Sequence, residues 1–183
     1  AYSNKSVQRI YSLKKRPKKN PLIIHYYNLD LLKKDAKYDK NFLRLYKKFS
    51  PGPLTYILKK RKSSKVSKFA NAKLKTIAVR FPNNKVIRSL LKKLNFPLAI
   101  PSANISTGVS PTEPLDVVDE FKNKIKFILN GGKSIIGLES TVINLSNKPR
   151  ILRPGAISNI QIGKILKKKV TNVWRWGGAG GRE

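Results

Sequence analysis

The chain has 183 residues, 40 Lys and Arg against 9 Asp and Glu, a formal charge of +31 and no cysteine. That length holds one well-buried domain and is short for two, while the lack of cysteine removes disulfides, thiolate nucleophiles and cysteine-ligated zinc and fits a reducing cytoplasm. The charge favours polyanions such as RNA, nucleotides or an anionic membrane surface, yet lysine is spread through every segment, so compositional drift of a whole proteome accounts for it equally well.

No apolar run reaches the length of a bilayer span and the first residues carry no signal-peptide pattern, so a soluble, cytoplasmic protein is expected. His25 is the single histidine, which excludes histidine pairs within the chain for metal binding or proton relay. Asp30, Asp35, Asp39, Asp116, Asp119, Glu120 and Glu183 read as solvated surface, and only Glu113 and Glu139 fall in specialised stretches. A divalent cation would then be carried chiefly by phosphates, with no metal ligands assigned to the protein.

In chain order, a helix is expected from Asn4 or Ser6, with Val7, Ile10, Tyr11 and Lys14 on one face. It stops before Pro17, which pushes Arg16 towards an extended conformation. Pro21 to His25 reads as a buried strand, and Phe42, Leu45, Tyr46 and Phe49 mark a second helix, cut off by Ser50-Pro51-Gly52-Pro53. Strand Leu54 to Leu58, a basic loop over 59–75, strand Ile77 to Arg80, helix Val86 to Leu94 and strand Leu98 to Ile100 follow. This alternation, with a hairpin from Thr141 to Arg153, predicts an α/β domain with a mixed sheet over 1–170 and an unassigned tail over 171–183.

Three stretches could carry chemistry. Lys14-Lys15-Arg16-Pro17 with Asn20 and His25 could hold a triphosphate, or its cations could simply complement the carboxyl end of the helix. Ser102 and Asn104, two apart in an extended segment, are expected to project together from a strand end, where α/β proteins bind ligands; equally, the whole stretch through Ser110-Pro111-Thr112 reads as an ordinary polar turn into a helix capped by Thr112. Gly137-Leu138-Glu139-Ser140-Thr141-Val142 and Leu152-Arg153-Pro154-Gly155 offer close backbone approach and a phosphate clamp, or a glycine turn and a surface arginine.

Taken together and in this order, the motifs resemble the YrdC family, whose members make threonylcarbamoyl-AMP. The resemblance covers about Ser6 to Leu166 and rests on Lys14-x-Arg16, Asn20-Pro21-Leu22 with His25, Pro51-Gly52-Pro53-Leu54-Thr55, Val79-Arg80-Phe81-Pro82, Ser102-x-Asn104, Ser110-Pro111-Thr112, Glu139-Ser140-Thr141-Val142 and Leu152-Arg153-Pro154-Gly155. It implies a twisted mixed β-sheet flanked by helices, with a basic concave cavity for both substrates. It also implies that Lys14, Arg16, Asn20, Thr76, Asn104, Ser110 and Arg153 contact ATP, and that His25, Arg80, Ser102 and Ser140 contact L-threonine. The implied reaction joins L-threonine, bicarbonate and ATP, with Mg2+ on the ATP phosphates. Implied partners are downstream threonylcarbamoyl-transferase proteins, with tRNA or double-stranded RNA as further candidates and no membrane.

The family's opening strand and loop, approximately Pro-Thr-Asp/Glu-Thr-x-Tyr-Gly-Leu, has no counterpart here, so the chain is expected to lack that element; longer relatives continue past its end into a second domain. Two other classes stay open. A non-catalytic RNA- or nucleotide-binding module would use the charge directly, although the aromatic stacking motifs of common RNA-binding modules are missing. Carbamoyl transfer in hydrogenase maturation would need a cysteine-rich zinc segment and an acylphosphatase-like neighbour, and this chain shows neither.

Overall fold

The computed structural model describes residues 1–133 and 139–172. Gly137 and Leu138 of the third stretch, and the tail from 173 onward including Glu183, lie outside the described residues. Helix α1 (Asn4–Leu13) begins at Ser3, whose side chain accepts from the Ser6 amide, and buries Val7 and Tyr11 as its periodicity predicts. Strand β1 (Ile23–His25), helix α2 (Leu29–Asp35), the short strand β2 (Ala36–Lys37) and helix α3 (Lys40–Phe49) follow. Then come β3 (Leu54–Lys60), β4 (Thr76–Arg80), α4 (Lys85–Lys93), β5 (Leu98–Ala99), α5 (Pro114–Phe121), β6 (Thr141–Asn144), β7 (Arg150–Arg153), α6 (Asn159–Leu166) and β8 (Thr171–Asn172). The expected basic loop is therefore shorter at its start, because β3 extends to Lys60.

The strands form one mixed sheet in the order β5-β1-β4-β3-β6-β7-β8, with β2 pairing to β3. β1 with β4, β3 with β6 and β7 with β8 run parallel; the other pairs are antiparallel. Register decides what each face carries. Ile24, Val79, Tyr56, Ile143 and Ile151 lie side by side across five strands, and each is at most 2% exposed. Residues of α1, α2, α3 and α6 complete the core on that face, including Tyr11, Leu32, Phe42, Leu45, Ile162 and Leu166. Phe42 packs edge-on against Tyr56 at 5.0 Å, and Tyr46 against Phe81 at 4.8 Å, which seats α3 on the sheet.

Successive residues of a strand point to opposite faces, so Ile23, Thr76, Ala78, Ile57, Lys59 and Val142 emerge on the other side. None of these is fully buried. Helix α4 does not close this face as a core helix would. Only Leu91 of it is buried, while Val86 and Ile87 line a cavity beside His25, so the apolar face expected over Val86 to Leu94 is only partly spent on packing.

One carboxylate departs from the expectation of solvated surface. Asp35 is 1% exposed and accepts hydrogen bonds from Tyr2 Oη at 2.8 Å, Tyr26 Oη at 2.9 Å and Ser64 Oγ at 2.7 Å. Its lysine-rich sequence context hides this, because all three donors come from distant segments. Burial and the neighbouring carboxylate push the Tyr2 and Tyr26 hydroxyls well above their ordinary pKa. Asp35 thus ties the chain start, the end of β1 and the 61–64 turn together. Replacing Asp35 with Ala strands three hydroxyls, and the expected loss of unfolding free energy in urea is about 3 kcal/mol. A loss below about 1 kcal/mol would contradict this role.

Candidate functional site

The row next to the core row is polar. His25, Arg80, Thr55, Val142 and Arg153 are successive register partners across β1, β4, β3, β6 and β7, so their side chains share the face that helices leave open. Arg153 joins the row through a β-bulge: Val142 pairs with Arg153 but Ile143 pairs with Ile151, leaving Leu152 as the extra residue. In a regular ladder Leu152 would oppose Val142 and Arg153 would fall on the Ile151 face, so it is the bulge that brings Arg153 into the row.

Hydrogen bonds fix the row. Arg80 Nε donates to the Gly52 carbonyl at 3.2 Å. Arg153 donates to the Ser140 carbonyl from Nε at 3.1 Å and from Nη2 at 2.8 Å, to Ser140 Oγ from Nη2 at 3.0 Å, and pairs with Glu139. Ser140 Oγ lies 2.8 Å from Thr55 Oγ1. Gly155 makes this packing possible, since a Cβ there would come within 2.7 Å of the Ser140 carbonyl carbon. His25 is 6% exposed and lines a cavity of about 460 Å³ with Gly52, Arg80, Asn84, Ile87 and Leu129. Burial, reinforced by the Arg80 charge, lowers the His25 pKa to about 3, so the ring is neutral near pH 7. The same burial, together with Arg153, lowers Arg80.

The remaining predicted residues gather towards the other end of β1 and β4. Thr76 lies four residues before Arg80 on the same face, about 13 Å away along the strand. Lys14 and Arg16 part company at the end of α1. Lys15 takes φ +49, the Arg16 amide reaches the Tyr11 carbonyl at 2.9 Å and the Lys15 amide reaches Ser12 at 3.2 Å, which is a Schellman turn with lysine where glycine is usual. Arg16 leaves this turn half-exposed and donates to the carbonyls of Asn20 at 3.1 Å and Pro21 at 2.9 Å. The Asn20 side chain stays exposed, while its carbonyl also accepts from Tyr11 Oη at 2.8 Å.

Lys14 remains on the core-facing side of α1 and is 5% exposed. Its ammonium donates to the carbonyls of Ser102, at 2.6 Å, and Asn104, and burial followed by the Arg16 charge lowers its pKa. Lys14 therefore organises the Ser102–Asn104 loop from within. That loop does not continue the strand, since β5 ends at Ala99, and Ser102 and Asn104 do not project together as expected. Ser102 is exposed, lining a second cavity of about 480 Å³ with Ser110, whereas Asn104 turns inward. Its amide closes a turn by donating to Ile105 at 2.9 Å and Gly108 at 2.7 Å, and its Oδ1 is buried without a partner among the described residues. The two cavities share Leu129 and Gly131.

Thr55 and the Gly52 carbonyl were not singled out as site groups by sequence reasoning. Their signal was present as Pro51-Gly52-Pro53-Leu54-Thr55, a motif without an assigned role. Among the described residues no group of three His, Cys, Asp or Glu could hold a metal ion, and no helix is long and apolar enough to cross a membrane.

Because the neutral His25 is native and the unfolded chain takes up a proton from about pH 6.5 downward, acid favours unfolding. His25 should contribute a stability loss of about 1.4 kcal/mol per pH unit between about pH 6 and pH 4, full stability being present above 6.5. Urea unfolding of His25→Gln over this range should be flatter by that slope; parallel curves would contradict a buried neutral imidazole.

Comparison with known proteins places the fold in a family. The chain is 40% identical over 170 residues to the threonylcarbamoyl-AMP synthase of Pyrococcus abyssi, covering 91% of this chain and 49% of that protein. To the threonylcarbamoyl-AMP synthase of Schizosaccharomyces pombe it is 40% identical over 181 residues, covering 86% of this chain and 44% of that one. The crystal structure of P. abyssi Sua5 complexed with L-threonine superposes with a TM-score of 0.88 at 38% identity, over 93% of this chain and 50% of that one. The chain thus spans about half the length of the curated relatives it matches. A family model, Sua5/YciO/YrdC, described as "Telomere recombination", matches residues 1–155. With the fold, the ordered motifs and this match in agreement, the chain belongs to the Sua5/YciO/YrdC family.

Proposed function

We propose that this chain is the substrate-binding and catalytic part of a threonylcarbamoyl-AMP synthase. The observation that carries the reading is the polar row on the uncovered sheet face, which brings His25, Arg80 and Ser140 together and leaves Arg16, Asn20 and Thr76 at the opposite end. Relatives named threonylcarbamoyl-AMP synthase, together with the P. abyssi Sua5 structure complexed with L-threonine, support the choice of ligands.

In this reading Arg80 and Ser140 hold the carboxylate of L-threonine, with the uncharged His25 beside them, and Ser102 borders the same amino acid. Arg16, Asn20, Thr76, Ser110 and Arg153 contact ATP, while Lys14 and Asn104 serve through the loop they organise. The amine of L-threonine bonds to the carbon of bicarbonate and water leaves. The resulting carbamate oxygen then bonds to the α-phosphorus of ATP as the bond to pyrophosphate breaks. Such a transfer asks the protein for alignment and charge neutralisation, which cations, hydroxyls and amides supply. Magnesium would be held by the ATP phosphates and would neutralise their charge there. The product would feed threonylcarbamoyladenosine formation in tRNA through a downstream transferase, in the cytoplasm.

A binding role for RNA has one specific observation in its favour. Lys37, Lys59, Lys60, Arg61, Lys62 and Lys75 line a cavity of about 720 Å³ next to Thr76. A purely RNA-binding module would show affinity that falls steeply with salt and no turnover.

The test is pyrophosphate release from ATP. We expect release that requires both L-threonine and bicarbonate, and in Arg16→Ala an ATP affinity weakened about tenfold or more with the fold retained. Absence of threonine-dependent release from the folded protein would contradict the reading, and unchanged ATP affinity in Arg16→Ala would remove that residue from the site.

A further inference from the structure

We propose that Pro51–Thr55 is a positioning element for the amino-acid site, in which Thr55 sets the Ser140 hydroxyl as a hydrogen-bond donor and the Gly52 carbonyl aims Arg80. The inference rests on the synthase reading above and adds the group that orients its proposed L-threonine contacts.

Three contacts leave this short segment, one for the end of β4 and two for the start of β6. The Gly52 carbonyl accepts from Arg80 Nε at 3.2 Å, the Pro53 carbonyl accepts from the Thr141 amide at 3.0 Å, and Thr55 Oγ1 meets Ser140 Oγ at 2.8 Å. Gly52 is itself locked, its amide donating to the Phe81 carbonyl at 2.8 Å, and a Cβ at this position would approach the Phe49 carbonyl oxygen to 2.5 Å. The carbonyl that holds Arg80 therefore has little freedom to turn.

Either hydroxyl could donate across the Thr55–Ser140 contact, and relative burial is what separates them. Thr55 is 0% exposed, and among the described residues its hydroxyl meets only Ser140 Oγ. A buried hydroxyl proton without an acceptor costs about 1–3 kcal/mol, and with Thr55 0% exposed against 3% for Ser140 the proposal assigns Thr55 as the donor. Ser140 Oγ also accepts from Arg153 Nη2 at 3.0 Å. A hydroxyl oxygen has two lone pairs, and both are then occupied, leaving the Ser140 proton as the one group free to bond outward. Arg80, anchored through Nε, keeps both terminal nitrogens without a protein partner among the described residues. Two guanidinium nitrogens and one hydroxyl proton on the same open face match the acceptor oxygens of a carboxylate. Thr55 touches no ligand in this account; it acts through Ser140.

Thr55→Val keeps the shape and removes the hydroxyl, and Thr55→Ser keeps the hydroxyl. In the intact protein, Thr55→Val should raise KM for L-threonine about tenfold, while KM for ATP and kcat at saturating L-threonine stay within about twofold of the parent. Thr55→Ser should restore the L-threonine KM, which a simple packing defect would not allow. If the parent turns over L-threonine and Thr55→Val matches it, this inference is overturned and the synthase reading survives. If both KM values and kcat fall together without rescue by Thr55→Ser, Thr55 is structural only and the inference is likewise overturned. A parent protein that neither binds nor uses L-threonine would overturn the synthase reading and this inference with it.

Discussion

The register of the central antiparallel pair, β3 with β4, governs the rest of the molecule. Thr55 opposite Arg80 and Tyr56 opposite Val79 assign one set of side chains to the helical core and the other to the open face. A slip by one residue would drive Arg80 and Thr55 into a core of Ile, Val and Tyr and expose Tyr56, so burial itself enforces the pairing. The parallel neighbours β1 and β6 inherit the same alternation, and the bulge at Leu152 extends it to β7 with one residue to spare.

The helices leave one sheet face only partly covered, and the apolar core lies on the other side. The aromatic cluster of Tyr26, Phe42, Tyr46, Tyr56 and Phe81 sits beneath the His25 and Arg80 end of the row, and the buried Asp35 closes the same region through Tyr2, Tyr26 and Ser64. The polar groups of the open face are in turn held mainly by backbone carbonyls and buried hydroxyls, with Glu139 and Arg153 the charge pair among them. This suits a site for anions, because a carboxylate partner on Arg80 would compete with the substrate.

Much of this was legible in the sequence where a local rule decides. The face of α1 was readable from spacing alone, down to Lys14 sharing it with Val7 and Tyr11, and the hairpin from Thr141 to Arg153 follows from its strand runs and turn. Two features were not readable because they depend on residues far apart in the chain. Asp35 reads as surface beside Lys33 and Lys34 until Tyr2, Tyr26 and Ser64 converge on it. Ser102 and Asn104 read as a pair on one strand face, but Lys14 reaches up from α1 and takes their carbonyls, bending the segment into a loop that turns Asn104 inward. The helices α2 and α6 escape for a local reason: both are short, and Ile160 and Ile162 of α6 alternate as a strand would before Ile165 breaks the alternation. The candidate site residues were recognised as motifs, while their grouping into two ends of one face required the register.

The most direct measurement of the central claim, that the uncovered sheet face is where the substrates meet, is a crystal structure of the protein with L-threonine and a non-hydrolysable ATP analogue. The account predicts the threonine carboxylate on the Arg80 guanidinium and the Ser140 hydroxyl, with the nucleotide reaching towards Arg16 and Thr76. Density for the amino acid anywhere off this face, or with its carboxylate away from both groups, would contradict it.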